Sequence, residues 1–273
     1  MHDIPKTENI LESISKNPNN SQSEKISSNI KPEISVIVPT YFEESILESL
    51  LVLLDADLRK KYNFELIVSD GGSTDNTLQI AMKYADKLVT KTGEERQTIS
   101  GGRNAGASVA SGDVLVFLNA DCKPADLTTF FEFISHWKKN STASAIACKV
   151  KAFDEDELLR DRIFYFLHNN YVKLLNYIGV GMGRGECQVV RKDIFESLGG
   201  YNSKLAAGED FDFYRRIAKN KNKIEYSEQL LVMESPRRFR KYGYLKTLWH
   251  WTLNSLAVIF CNKSASKEWE AIR

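Results

Sequence analysis

GGRNAGASVASGDVLVFLNADC, residues 101–122, decides the fold. It reads as a glycine-rich turn, a small-residue helix, a turn at Ser111-Gly112-Asp113 and a buried strand, Val114 to Leu118. The strand runs straight into Asn119-Ala120-Asp121. An apolar strand that ends in amide and carboxylate side chains sets them at the carboxyl edge of a sheet, where α/β folds bind ligands.

The same alternation extends on both sides. Ile34 to Val38 reads as a strand ended by Pro39, Phe64 to Val68 as a second and Lys87 to Thr90 as a short third. Helical periodicity runs through Ile46, Leu47, Leu50, Leu51 and Leu54 in a helix over 44–60. Ser73 or Thr74 is expected to cap a helix over 75–84. Residues 126–138 read as a helix and 143–153 as a strand. Strands alternating with helices imply βαβ units and a mostly parallel sheet.

The second half changes character. Residues 154–178 form a long aromatic-rich helical stretch, followed by a glycine loop from Gly179 to Gly185. Residues 187–190 read as a strand, and Gly208-Glu209-Asp210 opens a helix. Two short strands are expected at 223–226 and 230–233, then a basic turn at 235–240 and an amphipathic helix over 241–261. Residues 1–32 are rich in Ser, Asn, Lys and Glu; such a tail buries too little apolar surface to offset its ordering entropy. It is expected to be disordered apart from a short helix near 10–14.

Composition narrows the class. The chain has 273 residues, 42% hydrophobic and 27% charged, enough for a large core. Its net charge of +1 gives no reason to expect nucleic acid as a partner. Cys122, Cys148, Cys187 and Cys261 are far apart, without zinc-site spacing, and read as reduced, mostly buried thiols of a cytosolic protein. The polar start does not resemble a signal peptide, and no stretch is apolar enough to span a bilayer.

Four turns carry the chemistry. Pro39 to Glu44 and Ser69 to Asp75 each follow a strand, although Asp, Gly and Ser are also what capped βα turns use. Arg103 beside glycines at a helix start makes an anion site or a surface ion pair. Asp121 after a strand suits a hard cation shared with phosphates, since such an ion needs only one or two protein carboxylates.

Taken in order, VIVPTYFEE, VSDGGSTDNT, GGRNAGASVASGDVLVFLNAD and FESLGGYN followed by GEDFDFYRRI resemble the glycosyltransferase family 2 pattern. The resemblance covers roughly Ile34 to Tyr226. It implies an α/β GT-A fold, with a Rossmann-like, mostly parallel central sheet flanked by helices and a smaller acceptor-side subregion. Residues 33–122 would be the nucleotide-binding half, 123–240 the acceptor-binding half, and 241–273 an amphipathic helix and tail.

The resemblance also assigns roles. Pro39, Thr40 and Glu43 would line the nucleotide pocket, and Asp70 would accept a hydrogen bond from the base. Arg103 would contact the nucleotide or its phosphates. Asn119 and Asp121 occupy the Asp-x-Asp positions, with Asp121 on Mg²⁺ or Mn²⁺. Glu209 and Asp210 match the acidic pair that supplies the base, with Asp210 favoured. The reaction implied is inverting transfer from a nucleotide-diphosphate sugar, UDP- or GDP-linked. The acceptor would be a glycan, glycolipid or polyprenyl-linked precursor of the cell envelope. The place implied is the cytoplasm. The 241–261 helix, with Tyr242, Tyr244, Trp249 and Trp251 beside Lys241 and Lys246, reads either as resting peripherally on a membrane surface or as packing on its own core or on another subunit.

Two departures stand out. Gly71 and Asn119 replace residues that are often Asp in the family, which leaves open a catalytically silent sugar-nucleotide binding module. The Gln-x-x-Arg-Trp motif of processive synthases is absent. A nucleotidyltransferase would carry a glycine-rich basic loop after the first strand, which Pro39 to Glu44 is not. Gly179 to Glu186 reads as a wall of the acceptor site. Residues 235–240 read either as a clamp or lid on the diphosphate or as a solvated basic turn. His168 reads as an aromatic packing partner; His250 reads the same way, with the metal as the alternative.

Overall fold

The computed structural model describes residues 31–91, 97–261 and 263–266. The polar tail and its short helix therefore lie, but for Lys31 and Pro32, outside the described residues.

One eight-stranded sheet organises them. β3 (Lys87–Thr90), β2 (Phe64–Asp70), β1 (Ile34–Thr40) and β4 (Val114–Leu118) lie side by side in that order, all parallel. The sheet continues through β7 (Cys187–Arg191), β6 (Ala145–Ala152), β8 (Ile224–Glu234) and β5 (Cys122–Pro124). β7 is antiparallel to both neighbours, β6 and β8 are parallel, and β5 is an antiparallel edge. The chain builds outward from β1 to β3, then returns to the other side of β1 as β4. That reversal opens a crevice at the carboxyl ends of β1 and β4.

The strands are apolar on both faces because each face is covered. Ile34, Val36 and Val38 of β1 and Val114, Val116 and Leu118 of β4 enter one core. Ile37, Leu115 and Phe117 enter the other. Period-two alternation thus feeds two cores from one strand. The first core packs against α1 (Leu47–Leu51), α3 (Thr77–Tyr84), α5 (Leu127–Asn140) and α6 (Leu159–Tyr177). Within it Phe131 stacks on Phe64 at 4.4 Å and on Tyr62 at 5.4 Å between ring centres. The second core packs against α4 (Ile99–Ser108), α7 (Lys192–Ser197) and α8 (Glu209–Lys219). Burying each such side chain contributes about 1.5–3 kcal/mol.

Several expected elements differ in detail. The helix over 44–60 is two helices, α1 and α2 (Ala56–Tyr62), because Asp55 accepts from Leu58 N at 2.8 Å and restarts the turn. Gly101 and Gly102 are not a turn; they lie inside α4, whose cap is Thr98, accepting from Gly101 N at 3.1 Å. Ser73 does not cap α3, which starts after Asn76 without a side-chain cap. Pro39 stays within β1, because pairing with β4 ends at Ile37 and its missing N–H leaves no gap there. The two short late strands are one strand, β8, with a bulge between Ser227 and Leu231. The basic turn is a helix, α9 (Arg237–Tyr242), and Gly243 at φ +82° separates it from α10 (Tyr244–Cys261). The 240/241 boundary lies inside α9, and α10 packs on α8 and α9.

Helix α4 approaches β1 and β2 closely because Gly106 has no side chain. A Cβ there would sit 2.4 Å from Ile37 Cγ2. Gly106→Ala is expected to destabilise the fold by about 1–3 kcal/mol through overpacking, read as a lower urea midpoint with an unchanged slope.

Candidate active site

Two cavities open at the carboxyl edge of the sheet and meet at the end of β4. The first, about 310 Å³, lies in the crevice at the topological switch. Pro39, Thr40 and Glu43 come from the end of β1, Ser69 and Gly71 from β2, Gln97 to Ile99 from the entry to α4, and Asn119 to Asp121 from β4. The second, about 160 Å³, is lined by Arg103, Asn119, Asp121, Glu186, Glu209, Asp210, Glu234 and Arg238, with Phe239 and Trp251. Asn119 and Asp121 belong to both.

The expected nucleotide residues Pro39, Thr40 and Glu43 do line the first cavity. Asp70 does not. It is fully buried beneath the turn, and its carboxylate accepts from Thr40 Oγ1 at 3.0 Å, Gly72 N at 2.9 Å, Ser73 N at 2.7 Å and Ser73 Oγ at 2.6 Å. These bonds fix the turn, and Asp70 lines neither cavity. Ser73 Oγ in turn accepts from Phe42 N at 2.8 Å, tying the first two turns together. Phe42 sits at φ +56°, in the left-handed region that non-glycine residues seldom adopt. Gly71 forms part of the cavity wall, and a Cβ there would already press on Tyr41 at 3.3 Å.

Arg103 is also buried, in the wall of the second cavity. Its guanidinium donates to Glu209 Oε1 at 2.8 Å, Asn119 Oδ1 at 3.1 Å and the Gly185 carbonyl at 2.7 Å, and lies over the Tyr201 ring. This accounts for Asn119: Arg103 already has one carboxylate in Glu209, so a neutral acceptor suffices at the end of β4. Asp121 stays accessible at the junction and pairs with Arg237 Nη2 at 3.3 Å, so α9 reaches the site. Arg238 lines the second cavity. His250 is exposed and lines neither cavity, whereas His168 is buried and stacks on Trp251 at 5.3 Å.

The acidic pair at the start of α8 is split in function by its surroundings. Glu209 is held by Arg103. Asp210 has Phe211 N as its donor at 2.8 Å, and burial, then the Glu209 charge, push its carboxyl up to about 7. A carboxylate with that affinity exchanges a proton near neutrality, which a general base needs.

A second charged cluster was not singled out from the sequence. Arg184, buried, forks onto Glu186 at 2.8 and 3.2 Å and approaches Glu234 at 3.7 Å, and Tyr165 donates to Glu234 at 2.9 Å. Burial raises the Glu186 carboxyl, but Arg184 outweighs it and leaves it at about 2. Burial and then the Glu186 charge push Glu234 well above the usual carboxylate range. Glu234 ends a strand, as Asp121 nearly does, so that signal could have flagged it. His168 and Trp251 lie mid-helix and carry no such mark. Met182 to Glu186 form a wall of the second cavity, with Gly183 pressed against the Tyr214 ring.

Among the described residues, no group of three or more His, Cys, Asp or Glu side chains is arranged to hold a metal ion. One accessible carboxylate, Asp121, suits a hard cation whose remaining ligands come from phosphate oxygens and water. Asp121 therefore fits a cation that arrives with a diphosphate.

A sequence profile described as glycosyl transferase family 2 matches residues 35–199. The chain belongs to that family. The relatives differ in size. The chain is 34% identical to the glycosyltransferase AglE of Haloferax volcanii over 96 residues, covering 34% of this chain and 32% of AglE. It is 28% identical to a PGL/p-HBAD biosynthesis glycosyltransferase of Mycobacterium bovis over 203 residues, 69% of this chain and 71% of that protein. The match to the poly(ribitol-phosphate) β-N-acetylglucosaminyltransferase TarS of Staphylococcus aureus spans only 16% of TarS, so the chain covers a third or less of several curated relatives. Among solved structures, the Pyrobaculum calidifontis mannosyltransferase PcManGT, in complex with GDP-Man and Mn²⁺, superposes with a TM-score of 0.63 at 21% identity, covering 89% of this chain and 67% of that one. That likeness gives the family 2 chain its GT-A fold.

Arg103→Met is expected to lower stability by about 3–5 kcal/mol, because Glu209 is left buried without its cation. Arg103→Met combined with Glu209→Leu should recover much of that loss in urea denaturation. A double variant as unstable as the single one would mean that the pair does not carry the junction.

Proposed function

We propose that the protein is an inverting glycosyltransferase that binds a nucleotide-diphosphate sugar in the first cavity and its acceptor hydroxyl in the second. The observation that carries this reading is that Asn119 and Asp121 line both cavities, so the two substrates would meet at the end of β4. Asp210 stands on the acceptor side of that meeting point.

In the proposed step the acceptor hydroxyl attacks the anomeric carbon while the bond from that carbon to the diphosphate breaks. Asp210 takes the hydroxyl proton. One displacement at one carbon inverts its configuration. Asp121 would hold a Mg²⁺ or Mn²⁺ shared with the diphosphate, which when bound neutralises the leaving group's charge. Glu209 keeps Asp210 basic through like charge, and Arg103 keeps Glu209 in place. The UDP- or GDP-sugar complexes of the structural neighbours support such a donor here. The buried Arg184–Glu186–Glu234 cluster and Trp251 give the acceptor cavity both polar acceptors and an aromatic wall, which suits a sugar ring. A glycan or lipid-linked glycan of the cell envelope fits that lining.

Incubation with UDP- and GDP-sugars, a divalent cation and lipid-linked or free glycan acceptors tests the reading. Donor turnover is expected for the wild type, and Asp210→Asn should reduce it by about 10²–10⁴-fold while donor binding persists. Tight donor binding without turnover in the wild type would instead favour the silent binding module.

The pH profile gives a second check. Asp210 is protonated and idle below about 7, so kcat/KM should climb as pH rises through that value. Glu209→Gln removes the like charge but keeps an acceptor for Arg103. Its ascending limb should move to lower pH.

A further inference from the structure

Helix α6 is amphipathic in the reverse sense for a soluble protein. Its inward face carries polar Asp161, His168 and Asn169 beside Phe164, Tyr165 and Val172. Its outward stripe is apolar: Leu159, Ile163, Phe166, Leu167, Leu174 and Tyr177 recur at helical spacing, and Tyr177 is 88% exposed. Helix α10 repeats the pattern with Leu245, Trp249, Leu253, Leu256 and Phe260, of which Leu245 is 84% and Phe260 80% exposed. The two helices are joined by the stack of His168 on Trp251, by Phe164 against Tyr244 at 5.1 Å and by a hydrogen bond from Tyr244 to Asp161. Arg240 of α9 donates to the same Asp161 at 3.1 Å. Soluble monomers seldom leave contiguous apolar patches beyond a few hundred Å² uncovered.

Charge points to what covers this face. Across α6 and α10 the only carboxylate is Asp161, and it is buried. The exposed charges on these helices, Arg160, Arg162, Lys173 and Lys246, are all cationic, while Arg162 pairs with Glu157 at 2.8 Å and Lys173 with Glu228 at 3.2 Å. No helix among the described residues is long and apolar enough to cross a membrane. Apolar and aromatic side chains rimmed by Lys and Arg on helices that do not span suit the interface of an anionic bilayer.

We infer that α6 and α10 together form a docking platform for the surface of an anionic phospholipid bilayer. The inner sides of the same helices supply His168, Trp251, Asn254 and Ser255 to the second cavity. Docking would therefore bring that cavity to the lipid surface, where a lipid-linked acceptor lies. The platform requires neither donor nor chemistry, so its test is independent of the transfer reading.

The test is sedimentation of the purified full chain with sucrose-loaded phosphatidylcholine vesicles, with or without phosphatidylglycerol. The wild type should pellet with the anionic vesicles and be partly released by salt. The pair Phe166→Gln and Leu167→Gln on α6, and the pair Trp249→Gln and Phe260→Gln on α10, should each reduce binding by about tenfold or more at an unchanged melting temperature. Lys246→Gln should weaken binding only to the anionic vesicles. Should a variant fail to fold, quenching of wild-type tryptophan emission by bromine-labelled acyl chains reads the same contact. A wild type that stays in the supernatant overturns the platform. So does full binding by the α6 pair, or a dimer in light scattering that these substitutions dissociate.

Discussion

The buried guanidinium of Arg103 is the interaction on which the site depends. It comes from α4 and reaches Asn119 at the end of β4, Glu209 at the start of α8 and the carbonyl of Gly185 in the loop before β7. A cation taken out of water must find compensating partners, and these come from the elements that wall the second cavity. Its burial thus couples the strand end that bears Asp121 to the helix that bears Asp210.

The rest of the arrangement follows from that anchor and from glycines that allow close approach. Gly106 lets α4 lie against β1, so Arg103 can reach across β4. Gly183 lies flat on Tyr214, whose hydroxyl donates to the Ile146 carbonyl at 2.7 Å, and this fixes the loop that presents Gly185 and Glu186. The outcome is an uneven distribution of charge. Glu209 and Glu186 each have an arginine, while Asp210 and Glu234 do not have one to themselves and are pushed towards protonation. A cavity with several carboxylates is tolerable only if some of them hold protons or arginines.

Much of this was legible in the sequence. The β1 to β4 core, the turns that follow each strand and the acidic start of α8 have short-range signatures, and each lies where periodicity put it. The family pattern added Pro39, Thr40 and Glu43, which line the first cavity. A charged group at a strand end or helix start can also be held by the protein itself. Asp70 and Arg103 have that sequence context, yet both spend their bonds on protein. The Arg184–Glu186–Glu234 cluster was missed because its members are 2 and 48 residues from one another along the chain and meet only when β7 and β8 enter one sheet.

The amino-acid sequence by itself determined the alternation of strands and helices, the order of the turns and the membership of the family, because these depend on periodicity and spacing within short windows. Only the tertiary structure decided which carboxylates face a cavity and which are locked beneath it, and that α10 walls the second cavity. Those outcomes depend on which distant groups compete for the same buried charge, and that competition exists only once the sheet has brought them within hydrogen-bonding distance.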